Sequence, residues 1–277
     1  MIAVLGGTGT IGTHVAAGLA ASGAEARALV RDPALPGLAL PTAQADLRDF
    51  GSLRAAVDGA EQLFLLTPHG PDQDLLEANA IDAAEAAGVK RIVKISGGAA
   101  SLGPNGASCT AVAHWRSERQ IEDSGLRFCF LRPSFLMQNV LGLSPVAGVL
   151  LAPLGNAPIA MVDARDVAAC AVAVLLDRET TDGAWHLTGP AGLTFADVAS
   201  RLGARRYVNV PPRLAAIALR RRGASPFELD HALRMAAYFA SGADGAPTDA
   251  VRRITGRPAR TLDDFLATTN SRSKGNN

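Results

Sequence analysis

The first twelve residues constrain the fold of this chain more than any other stretch. A short apolar run, Ile2 to Leu5, is followed at once by a glycine cluster, and a helical pattern begins at Ile11. The order is that of a strand, a tight turn and a helix. Glycine is the residue that such a turn favours, because it accepts a positive φ and lets the helix pack closely on the strand.

The glycine spacing predicts a dinucleotide-binding turn. Gly7, Gly9 and Gly12 fit G-x-G-x-x-G, while Gly6, Gly9 and Gly12 equally fit G-x-x-G-x-x-G. In either pattern a pyrophosphate is expected to approach the backbone, since the helix N-terminus offers free N–H groups and a partial positive charge. The predicted cofactor contacts in this stretch are Gly6, Gly7, Thr8, Gly9, Thr10, Ile11 and Gly12.

Strand-like and helical patterns then alternate through the first half of the chain. Apolar runs fall at residues 2–5, 26–30, 41–45, 62–66, 91–95 and 127–131, with helical stretches between them. This alternation predicts an α/β fold, a doubly wound parallel Rossmann sheet with a small C-terminal α/β lobe over the carboxyl ends of the strands. The expected domains are 1–155 for dinucleotide binding and 156–269 for substrate binding, interleaved with the sheet through 163–188, and then a disordered tail over 270–277.

Composition argues against several other classes of protein. The 27 basic and 26 acidic residues nearly cancel, so no strong field favours nucleic acid or an anionic membrane. The three cysteines match no metal or redox spacing, and no metal site is expected. We expect a cytoplasmic monomer or homodimer whose partner is a small molecule, with no nucleic acid and no membrane involved.

The end of the second strand favours NADPH over NADH. The residue at this position distinguishes NADH from NADPH, because an acidic side chain accepts hydrogen bonds from the ribose hydroxyls of NADH and repels the 2′-phosphate of NADPH. Here the strand ends in Arg31, whose guanidinium suits a phosphate. Asp32 follows and leaves binding of NADH open as an alternative.

The ends of the next strands are expected to line the cofactor crevice. Asp46 and Leu47 follow the third strand, where a carboxylate accepts from an adenine amino group and an apolar side chain covers the ring. The remaining predicted cofactor contacts are Leu66, Thr67, Pro68 and Ser96, with Thr67 and Ser96 beside the nicotinamide. His69 and Gly97, which come next on the same loops, are assigned to substrate.

The helix expected over about 111–124 holds the candidate catalytic residues. His114 and Glu118 are four residues apart and therefore lie on one helix face. Imidazole titrates near neutral pH, and a nearby carboxylate would keep it charged as a proton donor. A purely structural His–Glu pair explains the same spacing equally well.

Several motifs together resemble the NmrA-like branch of the atypical short-chain dehydrogenase/reductase superfamily. They are Gly6-Gly7-Thr8-Gly9-Thr10-Ile11-Gly12, Leu29-Val30-Arg31-Asp32-Pro33, Leu131-Arg132-Pro133 with Asn139, Asp163-Ala164-Arg165-Asp166-Val167-Ala168, and the late Thr255-Gly256-Arg257-Pro258-Ala259-Arg260-Thr261. This branch includes NADPH-dependent quinone reductases and redox-sensing regulators. The resemblance therefore implies an NAD(P)H-dependent oxidoreductase or a sensor of NADP(H).

The chain departs from the superfamily where catalysis is expected. Typical members carry Tyr-x-x-x-Lys on this helix, with the tyrosine giving a proton to the substrate oxygen. Here His114 and Glu118 stand in the corresponding places, and the two tyrosines, Tyr207 and Tyr238, come late in the chain. An acceptor that needs little help from an acid, such as a quinone or a conjugated carbonyl compound, fits such a site.

The second half of the chain is expected to enclose that acceptor. The predicted lining of a pocket for an aromatic or quinone-like molecule consists of Phe135, Met137, Asn139 and Met161, together with residues of a helix expected over Pro226–Phe239. Three functions stay open: hydride transfer from NADPH to such an acceptor, non-catalytic sensing of NADP(H), and tailoring of an aromatic secondary metabolite.

Overall fold

A seven-stranded parallel sheet forms the centre of the molecule. The computed structural model describes residues 1–143, 145–177 and 182–274. Its strands are β1 (Ile2–Leu5), β2 (Ala26–Val30), β3 (Thr42–Gln44), β4 (Gln62–Leu65), β5 (Arg91–Ile95), β6 (Arg127–Pro133) and β8 (Gly183–Leu187). They follow the spatial order β3-β2-β1-β4-β5-β6-β8, and every neighbouring pair is parallel.

Helices cover both faces of the sheet. The helices of this part are α1 (Gly12–Ala21), α2 (Phe50–Val57), α3 (Gln73–Ala86), α4 (Cys109–Asp123), α5 (Ala164–Leu176) and α9 (Ala250–Thr255). One face packs against α1, α5 and α9, where Val15, Leu19 and Val167 are fully buried. The other packs against α2, α3 and α4 through Leu53, Ile81 and Ile121. The predicted doubly wound α/β sheet is confirmed.

The strand order also fixes where a ligand binds. The chain moves outwards from β1 to β2 and β3, returns to β4 on the other side of β1, and continues to β5 and β6. At such a switch point the loops after β1 and β4 turn away from each other and leave a crevice at the carboxyl ends of the strands.

A smaller lobe lies over that crevice. It contains a two-stranded parallel sheet, β7 (Val149–Ala152) with β9 (Arg206–Asn209), and the helices α6 (Phe195–Arg201), α7 (Pro212–Arg221), α8 (Pro226–Ala240) and α10 (Leu262–Lys274). Its own core includes Phe195, Val198 and Phe265. The lobe thus begins before residue 155, because β7 pairs with β9 and not with the large sheet.

Two further expectations can be compared with the described residues. Helix α10 continues through Lys274, so residues 270–274 of the expected disordered tail are helical, and 275–277 lie outside the described residues. None of the described helices combines the length and the apolarity that crossing a bilayer requires.

Candidate active site

A single cavity connects the glycine turn to the lobe. Its volume is about 800 Å³, and its walls include the loops after β1, β4, β5 and β6 together with one face of α8. Most of its lining is apolar, with a few polar side chains from different elements. Large cavities of this character at the switch point of an α/β sheet are the usual binding sites of such folds.

The geometry of the turn decides between the two glycine patterns. Gly6 has φ +78°, and a Cβ there would lie 2.3 Å from the Leu66 carbonyl oxygen. A Cβ on Gly12 would lie 1.9 Å from the Gly6 carbonyl oxygen, so the helix packs against the turn without room for a side chain. Gly7 is buried but meets no such conflict, its nearest contact being 3.6 Å away. The backbone therefore requires glycine at Gly6 and Gly12, which favours the pattern Gly6, Gly9 and Gly12 over the one that begins at Gly7.

This backbone cradle fits a dinucleotide. Gly9 is exposed to the cavity, and a Cβ built there would meet only the Gly6 oxygen at 3.6 Å, so an outside group can approach the main chain. On the far side of the cradle, the buried hydroxyl of Ser96 has no hydrogen-bond partner among the described residues. An orphaned polar atom at this place is what a bound ligand would satisfy.

Arg31 lies at the cofactor end of the cavity. Its side chain is exposed and forms part of the lining. The Asp32 carboxylate points elsewhere, since its Oδ1 accepts a hydrogen bond from the Ala34 amide at 2.9 Å. The sequence leaves Arg31 and Asp32 as alternative contacts for the adenosine ribose of the cofactor. Of these two residues, only Arg31 lines the cavity.

The structure brings most of the sequence-predicted residues together. Those that line the cavity are Gly6, Thr8, Gly9, Thr10, Ile11, Arg31, Leu66, Thr67, Pro68 and Ser96 among the cofactor contacts, His69, Gly97, Phe135 and Asn139 among the substrate contacts, and His114. Gly7 and Gly12 lie beneath the turn and shape it from below.

The other predicted residues lie outside the cavity lining. Asp46 is exposed and accepts a bond from the Arg48 amide at 2.9 Å, and Leu47 packs against the core under α2 and α3. Met137 and Met161 are each 1% exposed in the core of the lobe. The apolar residues Leu47, Met137 and Met161 thus pack against other protein side chains and do not line the cavity. The sequence pattern alone does not reveal this difference.

His114 is in contact with a buried ionic cluster formed by Lys94 and Glu77. Lys94 in the middle of β5 and Glu77 on α3 are both fully buried, and Lys94 Nζ lies 2.7 Å from Glu77 Oε1. Thr67 donates to the same oxygen at 2.7 Å. Lys94 Nζ also lies 3.2 Å from His114 Nδ1, so the lysine bridges the carboxylate and the imidazole.

Burial and the neighbouring Lys94 keep His114 neutral. Burial lowers the pKa of His114 well below its usual value and the Lys94 ammonium lowers it further, while Glu77 opposes them. For Glu77, burial alone would raise the pKa, but the charge of Lys94 and its hydrogen bond outweigh burial and lower the pKa to about 2. At neutral pH the cluster therefore holds an ionised Glu77 carboxylate and an uncharged His114 imidazole on either side of Lys94.

Glu118 does not take part in this arrangement. It is fully buried and accepts two bonds from Arg132, with Nε at 2.9 Å from Oε1 and Nη2 at 2.5 Å from Oε2. The expectation that Glu118 keeps His114 charged is therefore wrong: the carboxylate near His114 is Glu77, and the imidazole is neutral. The ion pair between Glu118 and Arg132 instead links α4 to β6.

Sequence reasoning missed Lys94 and Glu77. The strand Arg91–Ile95 reads R-I-V-K-I and is buried throughout, and a lysine in the middle of a buried parallel strand is costly without a partner. That anomaly was visible in the sequence. The identity of the partner was not, because Glu77 lies 17 positions away on a helix of little amphipathic character.

The fold and the glycine cradle define a class of protein, the Rossmann proteins that bind a dinucleotide at a switch point. The model of the NmrA-like family matches residues 1–209. The chain belongs to the NmrA-like family, which confirms the resemblance in its motifs.

The chain matches several reductases over nearly the full length of both proteins. The chain is 36% identical over 285 residues to NAD(P)H azoreductase of Xenophilus azovorans, with 96% of each protein covered. It is 34% identical to (4-alkanoyl-5-oxo-2,5-dihydrofuran-3-yl)methyl phosphate reductase of Streptomyces griseus, over 96% of this chain and 97% of that protein. Among solved structures, the NADPH-dependent quinone oxidoreductase of Escherichia coli in complex with NADPH has a TM-score of 0.86 at 26% identity, covering 97% of this chain and 99% of that one.

Proposed function

We propose that this protein is an NADPH-dependent reductase that acts on a quinone-like or conjugated carbonyl acceptor. The observation that carries the proposal is the continuous cavity, which joins the dinucleotide cradle to an aromatic chamber under the lobe. The reductases among the relatives agree with it. We further infer a cytoplasmic monomer or homodimer that binds neither nucleic acid nor membrane.

NADPH would be held by the backbone of the glycine turn and by Arg31. The N-terminus of α1 favours the pyrophosphate, and the guanidinium favours a 2′-phosphate. Leu66, Thr67, Pro68 and Ser96 supply the wall beyond the turn. When bound, NADPH supplies the hydride.

His114 is proposed to serve the acceptor as a neutral hydrogen-bond donor. Lys94 presents an N–H group to Nδ1 at 3.2 Å, and with Nδ1 as the acceptor the ring proton is on Nε2. The side-chain amide of Gln73 also lies 3.2 Å from each ring nitrogen. The Cδ2 of the same ring lies 3.3 Å from the position of a Cβ on Gly97, at the cavity wall. The neutral ring orients an acceptor without having to give up a proton.

A donor of this kind suits an acceptor that stabilises its own negative charge. In a quinone or an extended enone the incoming charge spreads over the conjugated system, so a strong acid is not required. The protein then contributes mainly position and a fixed dipole. This explains how a site without the tyrosine of the superfamily can support reduction.

The test uses the purified wild-type protein. Fluorescence titration with NADPH and NADH measures binding, and NADPH absorbance follows turnover with duroquinone and a panel of conjugated enones. We expect tighter binding of NADPH than of NADH, and oxidation of NADPH that depends on the quinone. Tight binding of NADPH without turnover of any acceptor would support a redox sensor instead, and failure to bind either nucleotide would refute both functions.

A further inference from the structure

The hydroxyl of Tyr238 is a buried polar group for which no described residue satisfies the geometry of a hydrogen bond. Tyr238 lies on α8, lines the cavity and is only 9% exposed, yet its Oη makes no hydrogen bond within the described structure. The other tyrosine differs, because Tyr207 Oη donates to the Ala152 carbonyl at 2.8 Å. Buried polar groups are nearly always paired, so an exception at a cavity wall calls for a ligand.

The nearest carboxylate, Asp244, already has a donor on each of its oxygens. Asp244 is 1% exposed, and both of its oxygens already have donors: the Ser134 hydroxyl on Oδ2 and His186 Nε2 at 3.1 Å from Oδ1. Tyr238 lies beside Asp244, but the pair lacks the geometry of a hydrogen bond. Burial raises the pKa of Tyr238, and so does the Asp244 carboxylate, by its charge and as the nearest acceptor for the hydroxyl. The phenol therefore keeps its proton and remains a donor.

The hydroxyl is also close to the end of β5. A Cβ built on Gly98 would lie 3.7 Å from Tyr238 Oη and 3.9 Å from Asp244 Oδ1, and Gly98 follows Ser96 and Gly97 in the cavity wall. The surrounding lobe side of the cavity is apolar, with Phe135, Leu154, Met235 and Phe239 in its lining. An isolated donor in an apolar chamber fixes the orientation of a ligand.

We propose that the Tyr238 hydroxyl binds a carbonyl oxygen of the acceptor, forming a polar subsite contributed by the lobe. This inference rests on the proposed function and adds to it the chemical group that is recognised. The acceptor is a planar, largely apolar molecule with a hydrogen-bond-accepting oxygen. A hydrocarbon of the same shape without that oxygen gains nothing from Tyr238.

The experiment compares two ligands of matched shape. Duroquinone is a tetramethyl para-benzoquinone, and durene is the tetramethylbenzene with the same methyl pattern and no oxygens. Their dissociation constants are measured with the NADP⁺-saturated protein, in which no turnover occurs, for the wild type, Tyr238→Phe and the control Tyr207→Phe. We expect Tyr238→Phe to weaken duroquinone about tenfold, the range of one lost neutral hydrogen bond, and to leave durene unchanged.

Three results would overturn the inference. They are undetectable duroquinone binding by the wild type, equal duroquinone affinity in the wild type and Tyr238→Phe, and a parallel loss of both ligands in Tyr238→Phe, which would mean altered packing. Tyr207→Phe is expected to keep both affinities, and the melting temperature of each variant verifies its folding. Because binding is read without turnover, a wild type that binds duroquinone but never oxidises NADPH would refute the proposed function and leave this test decisive.

Discussion

At the scale of single residues, Arg31 is expected to determine the choice of cofactor. It is the only arginine in the described lining of the cavity, and a charge-assisted bond to a phosphate is stronger than a neutral one. We predict that Arg31→Ala raises the Kd of NADPH roughly 10- to 100-fold and changes the Kd of NADH little. Arg54→Ala, at an exposed arginine of α2 outside the cavity lining, is the matched control. Equal losses for NADPH and NADH would contradict the assigned role.

His114 is the second residue whose role can be isolated. Replacing it with phenylalanine removes the donor and keeps a ring of similar size, so we predict a fall in kcat of about tenfold or more with the Kd of NADPH nearly unchanged. His114→Gln retains an N–H donor and should recover part of the loss. Steady-state kinetics with duroquinone measure both variants. An unchanged kcat in His114→Phe would show that the imidazole only fills space.

At the scale of elements, the sequence predicts the strand–turn–helix units well and the polar contacts between them poorly. The bounds of β1, β2 and β5 were predicted to the residue, because apolar runs ended by turn residues are local features. The pairing of Lys94 with Glu77, and of Glu118 with Arg132, depends on how α3 and α4 pack on the sheet. Helical spacing placed His114 and Glu118 on one face, but both find their partners on other elements.

At the scale of the whole molecule, the site is a product of two parts of the chain that sequence reasoning treats separately. The glycine cradle, Arg31 and His114 belong to the Rossmann part, whereas Tyr238 and Phe239 come from α8 in the lobe. The sequence predicts that a helix over Pro226–Phe239 lines the pocket, and α8 does line it. Which side chains of α8 reach the cavity depends on tertiary packing, so Tyr238 was not identified from the local pattern.

The stability of the whole molecule in acid should depend on the buried pair of Glu77 and Lys94. Because the pKa of Glu77 falls from 4.5 to about 2 on folding, the unfolded chain takes up the proton first as the pH drops. The stabilisation is therefore complete above about pH 4.5 and is lost between 4.5 and 2, at roughly 1.4 kcal/mol per pH unit.

The double variant Lys94→Met/Glu77→Gln should remove this dependence, since it eliminates both charges while the glutamine still accepts from Thr67. Urea unfolding of the wild type and the double variant at pH 6, 4.5 and 3 measures the difference. Lys94→Met alone leaves an unpaired buried carboxylate and should lower the free energy of unfolding by about 3–5 kcal/mol at pH 7. If the wild type and the double variant lose stability in parallel below pH 4.5, the charge of Glu77 does not contribute to the stability of the fold.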